Sequence, residues 1–166
     1  MENDSRTEPP EAAGERETLA GFLDYFRATV VMKAGGLSDA AGARRLLPSL
    51  TTVSGLVQHL TDVERFWFQD RIDGQQGIPS RWSPEDPDGG FRVSEEDSLT
   101  EIIADYKAAC RQSRGVLGRF GMEDRCRGGD GRQSVRWVLV HMIEETGRHC
   151  GHLDILRELL DGTTGD

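Results

Sequence analysis

The sequence predicts an all-α protein built as a four-helix bundle. Apolar residues recur at steps of three and four along four long segments, and no segment shows the sustained two-residue alternation of a strand. The segments are separated by stretches rich in Gly, Pro and Asp, which break helices.

The first helix is expected from about Glu15 to Ala34, with Leu19, Phe22, Leu23, Phe26 and Val30 on one face. The glycines of "AGGLSD" end it. The second starts near Thr52 and ends before Asp73-Gly74, and its stripe is Leu56, His59, Leu60, Val63, Phe66 and Trp67. The connector after it, "DGQQGIPSRWSPEDPDGGFRVSEED", is too long and broken for a tight turn and is expected to cross over one end of the bundle. The third helix follows a cap at Asp97 or Ser98 and turns Leu99, Ile102, Ile103, Tyr106, Cys110 and Leu117 inward. The fourth follows "GGDGRQS" and runs to Asp161-Gly162. Long connections before the second and third helices mean that the bundle need not run simply up and down. Residues 1–14 are expected to form a disordered tail, and residues 15–162 a single domain.

Bulk properties narrow the functional classes. At 166 residues the chain can bury a real core, and no apolar run nears the roughly 20 residues that cross a bilayer, so no membrane association is expected. Acids outnumber bases 29 to 20, for a net charge of -9, which argues against a nucleic-acid partner. The local run "RCRGGDGR" reads as a solvated loop. The opening residues are acidic and lack an apolar core, unlike a secretory signal or transit peptide. Three cysteines without CxxC spacing fit neither a disulfide framework nor a thiolate zinc knuckle, and a cytoplasmic location is expected.

The last helix carries the chemistry. Stepping back from Leu159 by threes and fours gives Leu156, His152, His149, Glu145, Met142, Val138 and Val135. Core residues occupy both ends of this stripe, and metal-capable side chains occupy its middle. Glu145, His149 and His152 can converge beside the helix, and His59 interrupts the apolar stripe of the second helix. Imidazoles with one carboxylate suit Zn²⁺, Ni²⁺ or Fe²⁺ better than Ca²⁺ or Mg²⁺, which prefer oxygen shells. A lone histidine on an apolar face is more often a hydrogen-bonded core residue, but a buried glutamate among three such residues needs partners for its charge. His141 lies one residue off the stripe and reads as a supporting or surface histidine. Cys150 reads as a packed thiol, Glu144, Arg148 and Asp154 as solvated charges, and Trp67 and Trp82 as packing residues that could line a pocket.

Two motifs then carry a family likeness: "HLTDVERFWF", His59 to Phe68, and "HMIEETGRHCGHLDILRELLDG", His141 to Gly162. With the helical layout from Glu15 to Gly162, they resemble the DinB-like superfamily of bacterial four-helix-bundle proteins. The resemblance implies a divalent metal, zinc or nickel in typical members, held by one histidine of the second helix and two of the fourth. Carried over by position, the ligands are His59, Glu145 and His149. Glu145 departs from the pattern, standing where typical members have histidine, and His152 stands where many have glutamine. His152 then either becomes a fourth ligand or bonds a metal-bound water.

Characterised relatives include transferases that use bacillithiol or mycothiol and a mycothiol-dependent maleylpyruvate isomerase. The resemblance therefore implies a metal-dependent thiol S-transferase that activates a low-molecular-weight thiol against a small electrophile. Two other readings stay open: a non-enzymatic metal or ligand binder closed by His152, and a metal-free helical interaction protein with a buried polar network. A homodimer is open as the quaternary arrangement.

Overall fold

The structure, a computed structural model, describes residues 6–165. It comprises α1 (Glu15–Ala34), α2 (Asp39–Ala43), α3 (Val53–Glu64), α4 (Leu99–Leu117) and α5 (Val135–Asp161), with α3 continuing as a π-helix over Arg65–Ile72. A 3₁₀ turn, Gly89–Phe91, interrupts the connector between α3 and α4. Among the described residues there is no strand beyond an isolated bridge between Arg125 and Ser134. The bundle expected from the sequence is present. The short α2, capped by the Ser38 hydroxyl accepting from the Ala41 N–H, is an addition too brief to show periodicity.

The long helices begin where capping residues predict. Thr52, Ser98 and Ser134 each accept a hydrogen bond from a backbone N–H in the first turn of α3, α4 and α5, satisfying donors the helix itself leaves unpaired. Of the two candidates before α4, Ser98 is the cap, and Asp97 binds the Ser94 N–H instead. α5 ends at Gly162, whose positive φ of 78° lets its N–H reach back to the Glu158 carbonyl. Residues 1–5 of the tail expected from the sequence lie outside the described residues. Beyond them, Arg6 donates to Thr29, and a Cβ at Gly21 of α1 would stand 2.8 Å from Pro10.

α1 packs along α5, and α3 with its π-helical extension packs along α4. Two apolar clusters result. One gathers Val30, Leu56, Leu60, Tyr106, Cys150 and Leu153, and the other Leu23, Phe68, Ile72, Val116, Leu139 and Met142. Between them in sequence, on each long helix, sits a fully or nearly buried polar side chain: Arg27, Glu64, Ser113 and Thr146. Arg27 and Glu64 form a two-pronged ion pair, with Nε to Oε1 at 2.7 Å and Nη2 to Oε2 at 2.6 Å. Burial alone would pull the Arg27 pKa down, and the Glu64 carboxylate more than reverses it, so Arg27 stays charged.

Four expectations are corrected. Phe22 is 44% exposed, whereas Arg27, on another side of α1, is buried. In the second helix, Phe68 and Ile72 are fully buried whereas Phe66 and Trp67 are only half-buried. A π-helix advances more than 3.6 residues per turn, so a stripe extrapolated at α-helical spacing loses phase past Glu64. In α5, Leu139, Thr146, Cys150 and Leu153 are buried, while His152 is exposed and Leu159 is 58% exposed. A repeat of three and four averages 3.5 and drifts by about 20° per heptad against a straight helix, so the extrapolated stripe slides off the core. The "RCRGGDGR" loop, finally, is more than solvent-filling: its Arg127 and Gly128 N–H groups donate to the Ile72 and Arg71 carbonyls at the end of the π-helix.

Removing one partner of the buried pair should be costly. Glu64→Leu is expected to lower stability by about 3–5 kcal/mol because it strands a buried guanidinium, whereas Arg27→Met with Glu64→Leu should recover most of that loss. Urea unfolding of the two variants checks this, and equal losses in both would contradict it.

Candidate metal centre

α3 supplies His59, and α5 supplies Glu145 and His149 one turn apart. Their side chains meet at Glu145 Oε1, which stands 3.3 Å from His59 Nε2 and 3.2 Å from His149 Nε2. All three donor atoms lie within 4.8 Å of one another. The two imidazoles meet edge to face, with centroids 5.0 Å apart.

The site is backed by side chains outside the motifs. Phe91 stacks on the His59 ring at 4.4 Å and 18°. Phe91 belongs to the 3₁₀ turn, and Gln58 holds that turn by donating from Nε2 to the Gly90 and Arg92 carbonyls. Gly55 permits the approach, since a Cβ there would stand 2.8 Å from the Phe91 carbonyl oxygen. Arg81 reinforces the attachment: its backbone N–H and its Nη1 both bond the buried Asp62 carboxylate, at 3.0 and 2.6 Å. The connector expected to cross an end of the bundle is thus fastened along α3 from Gly55 to Asp62. No periodic signal marks Phe91, and only the Gly-Gly before it hints that backbone comes close.

His152 takes a separate place. Its Nδ1 lies 3.1 Å from His149 Nδ1, on the side of the His149 ring away from Glu145. Partial desolvation of its otherwise exposed ring, then the neighbouring His149, lowers the His152 pKa, so its ring is neutral at neutral pH and can accept a hydrogen bond. His141 does not join the cluster; its ring stacks on Trp137 at 5.2 Å and meets Trp67 at 4.8 Å. Trp82 stands apart on the connector, 6.3 Å from Phe66.

Hydrogen bonds from His149 and then His59 hold the Glu145 carboxyl far below the usual carboxylate range, outweighing the opposite effect of burial. The ionised carboxylate and two imidazole nitrogens are a borderline-soft donor set, suited to zinc-like divalent ions. Donors at about 2.0–2.2 Å from one tetrahedral ion stand about 3.4 Å from each other, close to the two separations at Glu145 Oε1. If the imidazole protons sit on Nδ1, both Nε2 lone pairs and the carboxylate face one point, and His149 Nδ1–H donates to His152 Nδ1.

The chain's own thiols are remote from such chemistry. Cys110, Cys126 and Cys150 are all free and buried. Burial, assisted by Glu64, pushes the Cys110 thiol up to about 12, burial and Asp154 push Cys150 up to about 12, and burial raises Cys126. None is a thiolate at neutral pH.

A family model described as mycothiol-S-transferase matches residues 18–162, nearly the whole helical domain. The chain belongs to that family. No curated protein matches the sequence. As a mycothiol-S-transferase family member, the protein carries its possible metal-binding group on α3 and α5, within the matched span. No helix among the described residues is long and apolar enough to cross a membrane.

Because the folded-state pKa of Glu145 is depressed below its ordinary 4.5, the carboxylate's contribution to stability is complete above that pH and fades as pH falls further. Metal-free Glu145→Gln should therefore lose stability relative to wild type at pH 7, with the gap closing as the pH drops below about 4. Thermal unfolding across that range checks it, and a constant difference at all pH values would oppose it.

Proposed function

We propose that the protein is a divalent-metal-dependent S-transferase joining mycothiol, or a similar low-molecular-weight thiol, to a small electrophile in the cytoplasm. The observation that carries this reading is the convergence of His59 Nε2, His149 Nε2 and Glu145 Oε1 within 4.8 Å. The family match supports the thiol, and the buried, protonated state of all three cysteines supports a nucleophile supplied from outside the chain.

His59, Glu145 and His149 would hold the ion, with zinc or nickel favoured by the donor set and iron compatible with it. A divalent ion bound there would favour the thiolate form of an incoming thiol at neutral pH. The remaining work falls to the protein. With an ion on Nε2, His149 would donate from Nδ1 to His152, which would fix its tautomer and angle, and Phe91 fixes the His59 ring by stacking. Glu145 contributes one negative charge, so the centre attracts a cation more strongly but withdraws less electron density from a bound ligand than three imidazoles would. The side chains of His59 and Glu145 remain 23% and 17% exposed, which leaves an approach for an exchangeable ligand. That exposure supports a catalytic centre over a closed structural one. Trp137, Val140, Ile155 and Leu159 are all about half exposed on α5 and offer the apolar surface for a homodimer. Sedimentation at twice the 18.4 kDa chain mass would support that pairing, and a monomer would remove it.

Protein purified without a histidine tag is expected to retain about one divalent ion per chain and to lose thermal stability in chelator. Glu145→Leu and His149→Ala should each weaken Zn²⁺ binding at least about tenfold by titration calorimetry, while Glu145→His keeps it, because an imidazole reaches the same point. Conjugation of a thiol to an electrophilic dye should depend on the metal. A metal-free protein, equally stable in chelator and equally active, would sink the proposal.

A further inference from the structure

A cleft of about 320 Å³ opens between α1 and α4 and shares no residue with the candidate metal centre. That volume falls at the lower end of small-ligand sites, about 300–1,000 Å³. Its walls include Ala28 and Val31 from α1, its mouth carries Lys107 and Arg111 from α4, and Tyr106 and Arg27 lie at its base.

Three features of this cleft are unexplained by the fold. First, the Tyr106 hydroxyl is completely buried, and what meets it is the Cys110 thiol, a weak hydrogen-bond partner. A buried phenol paired only with a thiol is under-satisfied, so a stronger acceptor reaching it from the cleft would improve its bonding. Second, Lys107 and Arg111 are exposed like charges one turn apart, an arrangement that by itself destabilises a helix. Among the described residues neither forms an ion pair, although the chain has a net charge of -9 and acids are plentiful elsewhere. Third, the one carboxylate lining the cleft, Asp24, is already neutralised by Arg27 at 2.9 Å and Arg114 at 3.0 Å. The cleft therefore faces its opening with a local excess of positive charge on an acidic protein.

We propose that this cleft binds a small organic anion with an apolar body. The acidic group sits between Lys107 and Arg111 at the mouth, the apolar part lies against Ala28 and Val31, and an oxygen of the ligand accepts from the Tyr106 hydroxyl. A cationic ligand would meet the repulsion of Lys107 and Arg111, and an uncharged one would forgo their attraction. The site does not depend on metal: its residues come from α1 and α4, those of the triad from α3 and α5.

The probes are the fluorescent anion 1-anilinonaphthalene-8-sulfonate and its uncharged analogue N-phenyl-1-naphthylamine, with octanoate as a carboxylate competitor. Wild-type protein should bind the anionic dye at one saturable site and release it to octanoate. Lys107→Ala with Arg111→Ala, both on the surface, should weaken the anion about tenfold and leave the neutral dye unchanged. Ala28→Trp should abolish binding of both dyes by filling the cleft. Tyr106→Phe, which keeps the core volume, should weaken octanoate about threefold or more through loss of the one hydrogen bond. Circular dichroism establishes that each variant is folded. No saturable binding to wild type, equal weakening of both dyes by the charge removal, or unchanged binding in Ala28→Trp would each overturn the proposal.

Discussion

The ion pair between Arg27 and Glu64 is the constraint around which the bundle is arranged. It lies between two apolar clusters, ties α1 to α3, and leaves almost no surface of either charge in contact with water. Two such charges are tolerated in a core only in close, doubly bonded geometry, so the relative height and rotation of α1 and α3 are fixed within narrow limits. Asp24 takes the remaining Nη1, at 2.9 Å, extending the network toward α4 through Arg114. An apolar pair at the same level would pack as well but would permit sliding. The polar layer therefore specifies register more than it adds stability.

That register matters because α3 carries both Glu64 and His59. Turning α3 to place Glu64 against Arg27 also aims His59 at α5, where Glu145 and His149 wait one turn apart. Past Glu64 the backbone changes to a π-helix, which redirects Phe68 and Ile72 into the apolar cluster of Leu23, Leu139 and Met142. A wider turn at this point lets one continuous segment serve two differently phased faces. π-helical turns recur at functional sites for this kind of reason.

The candidate metal centre also depends on a segment with little regular structure. Phe91 reaches His59 only because Gln58 and Asp62 of α3 bind the connector's backbone and Arg81, and because Gly55 offers no side chain in the way. His59 is thus held from one side by a loop and from the other by α5. The chain belongs to the mycothiol-S-transferase family, and Glu145 brings to the cluster a charge that an all-imidazole arrangement lacks. A carboxylate ligand exchanges some acidity of the bound partner for firmer attraction of the ion.

Local sequence determined a good deal of this protein. The caps at Thr52, Ser98 and Ser134 and the glycine after Asp161 set helix ends through hydrogen bonds within a few residues, and such signals are written in short words. The convergence of Glu145 and His149 follows from a four-residue step on one helix, and the interruption of an apolar stripe at His59 identified its partner across the core. Tertiary structure decided what no local pattern encodes. The Arg27–Glu64 pair joins residues 37 apart, and in sequence each looks like an ordinary surface charge. The place of His152 beside the outer nitrogen of His149 depends on the true rotation of α5, which a rigid three-and-four repeat misjudges by a growing angle. Phe91 lies in a loop without periodicity, and its contact with His59 exists only once the connector is fastened to α3. Contacts made within a turn of helix are legible because geometry is fixed by the backbone, whereas contacts between elements wait on the packing that brings them together.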